Sequence, residues 1–329
     1  MLLRKVRRGY LFSDVEKPAE PCYNNNSQSE RRELTKVADK QARAAILAVS
    51  AAVFYALNVP FSKKLLAYVG PTDMASLLYL GAGIGVGILY LFRRKTEGRE
   101  ERLGRADMPY TVGMVVLDIL APIFLMLGIH TGLAANASLL GNFEIVATAV
   151  IALWLFKEKV SKKLWTAVVL ITLSSLILSF EGSGSLRFSV GSLFVLLATV
   201  CWGLENNCTR KIAEKSTYQI VTVKGLCCGV GSFAVARVVG EPLPAGKYVL
   251  LAMLLGFVAY GLSIFLYIRA QRDLGAAKTS AFYAAAPFVG TFLAFVINGE
   301  PLTAAYFLGL IGMLAGTGFV IADTLNRPA

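Results

Sequence analysis

Four ionisable side chains stand inside long apolar runs: Asp118, Glu144, Glu205 and Lys224. A charge among apolar neighbours is costly to bury in a bilayer and is a functional candidate by default. Asp118 and Glu144 lie on either side of a tight turn centred near Thr131, thirteen residues before it and thirteen after. At the helical rise both sit about 20 Å from the turn, at one depth on neighbouring helices. Two carboxylates at one depth can share a proton. The alternative is that each faces its own surroundings, or that Glu144 only hydrogen-bonds to Asn142 or a backbone group. Glu205 and Lys224 flank a second turn near 213–214 at similar depths, so they can pair. Such a pair serves as a gate or a contact for a substrate carboxylate through Lys224. It serves equally as a static ion pair, or Lys224 snorkels to the interface.

Uncharged groups share these runs. Tyr55 and Asn58 are three apart and occupy one helix face, as do Trp202 and Glu205. Asn136, Asn142, Tyr260, Tyr267 and Tyr283 add hydrogen-bonding and aromatic surface, and Pro60, Pro122 and Pro287 interrupt their runs. A proline inside a helix frees backbone carbonyls that a cavity can use. The aromatic residues serve equally well in packing or in the interface belt. Glu158 and Glu300 each precede Ser or Thr by three residues, which reads as helix-start capping.

These groups must be positioned by membrane spans. Of 329 residues 56% are hydrophobic and only 16% are charged, well below the quarter charged of a soluble domain. Apolar runs of spanning length occupy roughly 43–63, 73–92, 109–129, 133–156, 162–180, 188–209, 217–239, 248–268, 274–297 and 302–322. The connections are too short for a soluble domain, so the activity must lie within the membrane. This excludes a soluble enzyme, a secreted disulfide scaffold and a disordered protein. No Walker loop, HExxH or GxSxG occurs, the five cysteines include no CxxC, and His130 is the single histidine. No metal site, cofactor or nucleic-acid partner is expected. Gly81, Gly83, Gly85 and Gly87 lie inside a run and read as helix-packing glycines, as do the pairs Gly225/Gly229 and Gly312/Gly316. Residues 1–41 read as a polar, mostly disordered cytosolic tail, with Arg4, Lys5, Arg7 and Arg8 available to anionic lipid. Alternate segments hold 27 and 5 Lys or Arg, or 17 and 5 without the ten up to Arg43. That bias places both termini in the cytosol.

The two halves resemble each other. Residues 53–65 match 200–212, and 134–161 match 276–303 without a gap, which sets Glu158 on Glu300 and Ser161 on Thr303. Each half holds five spans, and an odd count inserts the second copy upside down. The expected fold is therefore an all-α membrane protein of ten transmembrane helices in two inverted five-helix repeats, 42–180 and 181–329. Inverted repeats are a recurrent construction of secondary transporters, with the substrate site between the halves.

The run ending Asn58-Val-Pro60-Phe-Ser62-Lys63-Lys64, the following Pro71, the small-residue-rich fourth span and Phe156-Lys-Glu158-Lys-Val-Ser161 resemble the EamA-type drug/metabolite transporter superfamily. The likeness covers about 42–322, in both copies. It implies an exporter or facilitator of small metabolites, commonly amino acids or related compounds. It also implies a cavity lined by spans 1, 3, 4, 6, 8 and 9, and a prokaryotic plasma membrane as the location. The sequence departs from the pattern where many members carry an Arg in the second span, since Leu77–Leu80 hold only Leu and Tyr. Lys224 falls near the corresponding place in the second copy, and Asp118 and Glu144 are more acidic than usual. The expected substrate cavity comprises Tyr55, Asn58, Asp118, Asn142, Glu144, Trp202, Glu205, Lys224, Tyr260 and Tyr283. The partners are a small-molecule substrate, membrane lipid and, where transport is coupled, protons; a homodimer is open. An intramembrane enzyme using Asp118 and Glu144 as acid and base, and a non-transporting receptor or scaffold, are the rival readings.

Overall fold

The computed structural model describes residues 25–93, 102–156, 161–181, 187–212, 214–274, 279, 282–301 and 303–326. The chain divides into a unit ending at Lys40 and a compact unit from Gln41 to Ala329. Almost all described residues are helical. The elements are α1 (Asn25–Ala56), α2 (Asn58–Leu65), α3 (Pro71–Arg93), α4 (Met108–Thr131), α5 (Ala134–Leu140), α6 (Phe143–Phe156) and α7 (Lys162–Ser179). They continue as α8 (Val190–Lys211), α9 (Thr217–Val239), α10 (Gly246–Gly256), α11 (Ser263–Leu274), α12 (Ala286–Asn298) and α13 (Ala304–Asn326). A short antiparallel pair, Phe180–Glu181 with Arg187–Phe188, is the one strand pairing among the described residues.

Among the described residues, eight stretches are long and apolar enough to cross a membrane: α1–α2 from Lys40, α3, α4, α5–α6, α7, α9, α10–α11 and α13. Two of the ten expected runs fall short on this measure. The last third of α8 is polar through Glu205, Asn206, Asn207 and Thr209, and α12 has only 13 residues. Apolar side chains such as Trp154, Phe92, Ile311 and Phe292 face outward, as a lipid-facing surface requires.

Several expectations change. Helix α1 begins at Asn25, so the tail is helical well before the first apolar run. Pro122 does not interrupt α4, which runs unbroken through it. Breaks do fall beside the other two prolines, at Leu57 before Pro60 and at 284–285 before Pro287, and further ones occur at Gly141–Asn142 and as a wide-turn π segment over Phe257–Leu262. Arg237 is ion-paired to the buried Asp73 and lies 5.0 Å from the centre of the Phe233 ring.

Packing is built across the two halves. Helix α3 lies along α9, α4 along α8, α7 along α13, and α5 along α12. The α3–α9 crossing depends on glycine, because a Cβ on Gly83 would come within 2.6 Å of the Leu226 nitrogen. Close backbone approach of this kind is how small residues drive helix association in lipid. Helix ends are tied from a distance. Glu241, just beyond α9, accepts from the Thr72 and Asp73 amides at the start of α3 at 3.0 and 2.8 Å. Glu300, reached through Gly299 at φ +66°, accepts from the Ala134 and Ala135 amides of α5, both at 2.7 Å. Glu300 thus caps a helix, but not its own. The hydroxyls of Ser161 and Thr303 accept from the first turns of α7 and α13 instead.

Candidate functional site

Two of the helix breaks occupy matched positions. In the gap-free alignment of 134–161 with 276–303, Asn142 stands on Ala284 and Phe143 on Ala285. The first half breaks at Gly141–Asn142 and the second at 284–285. Both breaks border a cavity of about 640 Å³. Interruptions at corresponding places in two repeats are the feature that marks binding sites in duplicated transporters. The π segment widens the stretch carrying Tyr260, and the Leu57 break separates Tyr55 from Asn58.

The floor of the cavity is aromatic. Tyr79 and Tyr260 lie 5.2 Å apart between ring centres, Tyr260 and Tyr55 6.0 Å, Tyr55 and Tyr283 5.6 Å, and Tyr283 and Tyr267 5.1 Å. Trp202 joins these five on the wall. Three hydroxyls are engaged by the protein. The Tyr79 hydroxyl donates to Asp118 at 3.2 Å, and the Asn58 amide donates to the Tyr260 hydroxyl at 3.1 Å. The Tyr283 hydroxyl shares a hydrogen bond of 3.1 Å with Ser263. What these tyrosines offer the cavity is chiefly ring.

The charged groups divide into two sets. Lys224 bridges two carboxylates, 2.8 Å from Asp118 and 3.0 Å from Glu205. Asp118 is wholly buried and Glu205 nearly so, and Glu205 also accepts from the Thr209 hydroxyl. Glu144 takes a separate partner: the Asn206 amide donates to it at 2.6 Å and reaches Thr148 at 3.3 Å. Of the two readings open from the sequence, separate surroundings hold: Asp118 joins Lys224 and Glu205, and Glu144 stands apart. Equal depth for the two carboxylates requires unbroken helix from the turn to Glu144, and the chain is interrupted at Gly141–Asn142. Glu144 also bonds neither Asn142 nor the backbone as its principal partner. Within the expected Glu205–Lys224 pair, Lys224 has a second carboxylate that depth alone does not reveal.

Of the ten expected site residues, Tyr55, Asn142, Glu144, Trp202, Glu205, Lys224, Tyr260 and Tyr283 line the cavity. Asn58 and Asp118 stand directly behind, held against Tyr260 and Lys224. Tyr79, Asn206 and Ser138 line it unanticipated. Asn206 was findable, because it stands one helical turn after Trp202 and shares its face. Spans 2, 7 and 10 contribute Tyr79, Lys224 and Ile321 to the wall, so the lining is wider than the six spans the resemblance implied. Asn142 Nδ2 and Ser138 Oγ are buried without a hydrogen-bond partner. Glu158 lies outside the described residues. Among the described residues, no group of three or more His, Cys, Asp or Glu is placed to hold a metal.

Comparison with known proteins decides the family. The EamA-like transporter family model matches residues 42–180 and 189–322. The chain belongs to the EamA-like transporter family. Similar proteins include an uncharacterized transporter of Methanothermobacter thermautotrophicus, 24% identical over 82% of this chain and 83% of its own length. Another is the uncharacterized transporter YyaM of Bacillus subtilis, 22% identical over 85% of this chain and 95% of its own. A Clostridium kluyveri protein, also named an uncharacterized transporter, is 24% identical over 84% and 92%. A solved crystal structure aligns with a TM-score of 0.62 over 87% of this chain and 97% of its own at 18% identity, which is a likeness of fold. The EamA-like halves both supply the cavity, the first through Tyr55, Tyr79 and Glu144, the second through Trp202, Glu205, Lys224 and Tyr283. The protein is a multi-pass membrane transporter.

Proposed function

We propose that this transporter is a gradient-driven exporter or facilitator of a small polar metabolite in a prokaryotic plasma membrane. It works by alternating access around the cavity between its halves. Ten spans in two inverted repeats, with both termini cytosolic, are part of the same reading. The observation that carries it is the pair of matched helix breaks bordering a cavity to which both halves contribute. A site between repeats can be exposed to either side by rocking one repeat against the other.

The cavity reaches one end of the bundle. Its lining includes Thr209 late in α8, Thr217 early in α9 and Ile321 late in α13. The start of α4 lies at that end, since Gly113 abuts Cys208. Helix α4 has 24 residues and so carries the chain about 36 Å at the helical rise to its other end. There the Lys63 ammonium donates to the carbonyls of Ile129 and Gly132, both at 2.7 Å, and Glu300 holds the start of α5. On the charge bias this conformation faces the cytosol. Proton coupling belongs to the same proposal: three carboxylates and one lysine at the cavity exchange protons with whichever side it faces.

The test is uptake of labelled amino acids and small metabolites into proteoliposomes, with and without an imposed pH gradient. The native protein is compared with Asp118→Asn and Glu144→Gln. Acceleration by the gradient, lost in either variant, supports coupled transport. Transport indifferent to the gradient and to both substitutions leaves a facilitator with structural carboxylates. Chemical conversion of a panel member without movement would favour an intramembrane enzyme.

A further inference from the structure

The charge balance of the cavity narrows its substrate. Among the described lining residues Lys224 is the one basic group, and both sides of it are taken, by Asp118 and Glu205. A substrate carboxylate would have to displace a buried carboxylate to reach it, leaving that charge unpaired. With its groups ionised the cluster carries one net negative charge, and Glu144 adds a second with only an amide donor as partner. An anion entering this space is repelled in a medium that screens poorly.

The rest of the wall suits the opposite charge. Ring surface attracts a cation through its quadrupole, most strongly where water is excluded. Tyr55, Tyr260, Tyr283 and Glu144 all line this cavity, so aromatic surface and a carboxylate border one space. Asn142 Nδ2 borders the same cavity, buried and unpartnered, and its amide answers a hydroxyl or carbonyl on the guest.

Resting on the transporter reading, we propose that the cavity selects small monovalent organic cations that carry a hydrogen-bonding group, amines or quaternary ammonium compounds. Glu144 is the counter-ion, and the tyrosine rings form the cage. Anions and zwitterions that need a cationic partner are rejected because Lys224 is already paired.

The experiment is equilibrium binding to the purified full-length protein in detergent, followed by proteoliposome uptake of the same probes. The cations are choline, agmatine, tetraethylammonium and benzyltrimethylammonium. The controls are 3,3-dimethylbutan-1-ol, the uncharged isostere of choline, and succinate and glycine betaine. At least one cation is expected to bind, and choline roughly tenfold or more above its neutral isostere. Glu144→Gln is expected to weaken cation binding by a similar factor, and Tyr283→Leu more than Tyr283→Phe, because phenylalanine keeps the ring. Preference for the neutral, anionic or zwitterionic probes, or binding of none of the cations, overturns the cation assignment. So does cation binding unchanged in Glu144→Gln. If other metabolites still move into proteoliposomes, the transporter reading survives that failure. If nothing moves at all, both fail.

Discussion

Lys224 sets the sharpest constraint at the scale of single residues. Its ammonium lies between Asp118 and Glu205, and removing it leaves two buried carboxylates facing each other. Breaking a buried ionic group by deleting one member costs about 3–5 kcal/mol. Lys224→Met is therefore expected to lower the midpoint of thermal unfolding in detergent markedly. The double change Lys224→Met with Asp118→Asn is expected to recover part of the loss, since it removes one stranded charge. Equal damage in the single and double variants would mean that the cluster is held by packing rather than by charge. Glu144 differs in kind. Its partner is the neutral Asn206, so Glu144→Gln keeps a hydrogen-bonding group and is expected to fold normally while altering transport.

Helix ends and crossings carry the next level. Glu300 caps α5 from beyond α12 with two hydrogen bonds of 2.7 Å. A carboxylate at a helix start contributes both acceptor and favourable charge. Glu300→Ala is expected to cost about 1–2 kcal/mol. Its second signature is faster hydrogen exchange at Ala134 and Ala135, read by mass spectrometry; exchange unchanged there would show that the contact does not hold α5. At the α3–α9 crossing, Gly225→Leu is expected to push the helices apart and reduce the folded, monodisperse yield. Gly246→Ala is the matched control, because nothing lies within 4 Å of where its Cβ would stand. Similar losses in both would show that helix propensity, not close approach, matters at Gly225.

For the whole molecule, the distinguishing property is which end the cavity serves. In a cysteine-free background, Thr217→Cys at the open end is expected to react readily with a water-soluble maleimide. Ser62→Cys, fully buried near the Lys63 contacts, is expected to resist. Turnover with a transported substrate should raise labelling at 62 and lower it at 217. Protection that never changes during transport would exclude alternating exposure. Sidedness follows from the same reagents applied to sealed vesicles, where reaction at 217 from the cytosolic face is expected.

The apolar runs and their spacing determined that the chain enters a membrane as helices, because an unsatisfied backbone is intolerable in lipid. The duplication determined that two halves share a plan, and the scarcity of charge in the runs singled out Asp118, Glu144, Glu205 and Lys224. These features are local in sequence or repeat at a fixed offset, so they can be read without coordinates. Which charges meet is not local. Helical rise gives depth, but partner choice depends on rotation about each axis, which the runs do not specify, least of all where the helices break at Leu57, Gly141–Asn142 and 284–285. Tertiary structure alone therefore decided that Asp118 joins Lys224 rather than Glu144. It also decided that Glu300 caps a helix in the other half, and that Tyr79 and Asn206 turn toward the cavity. The extension of helix back to Asn25 was likewise settled by the structure, because a polar segment shows no apolar period by which to recognise it.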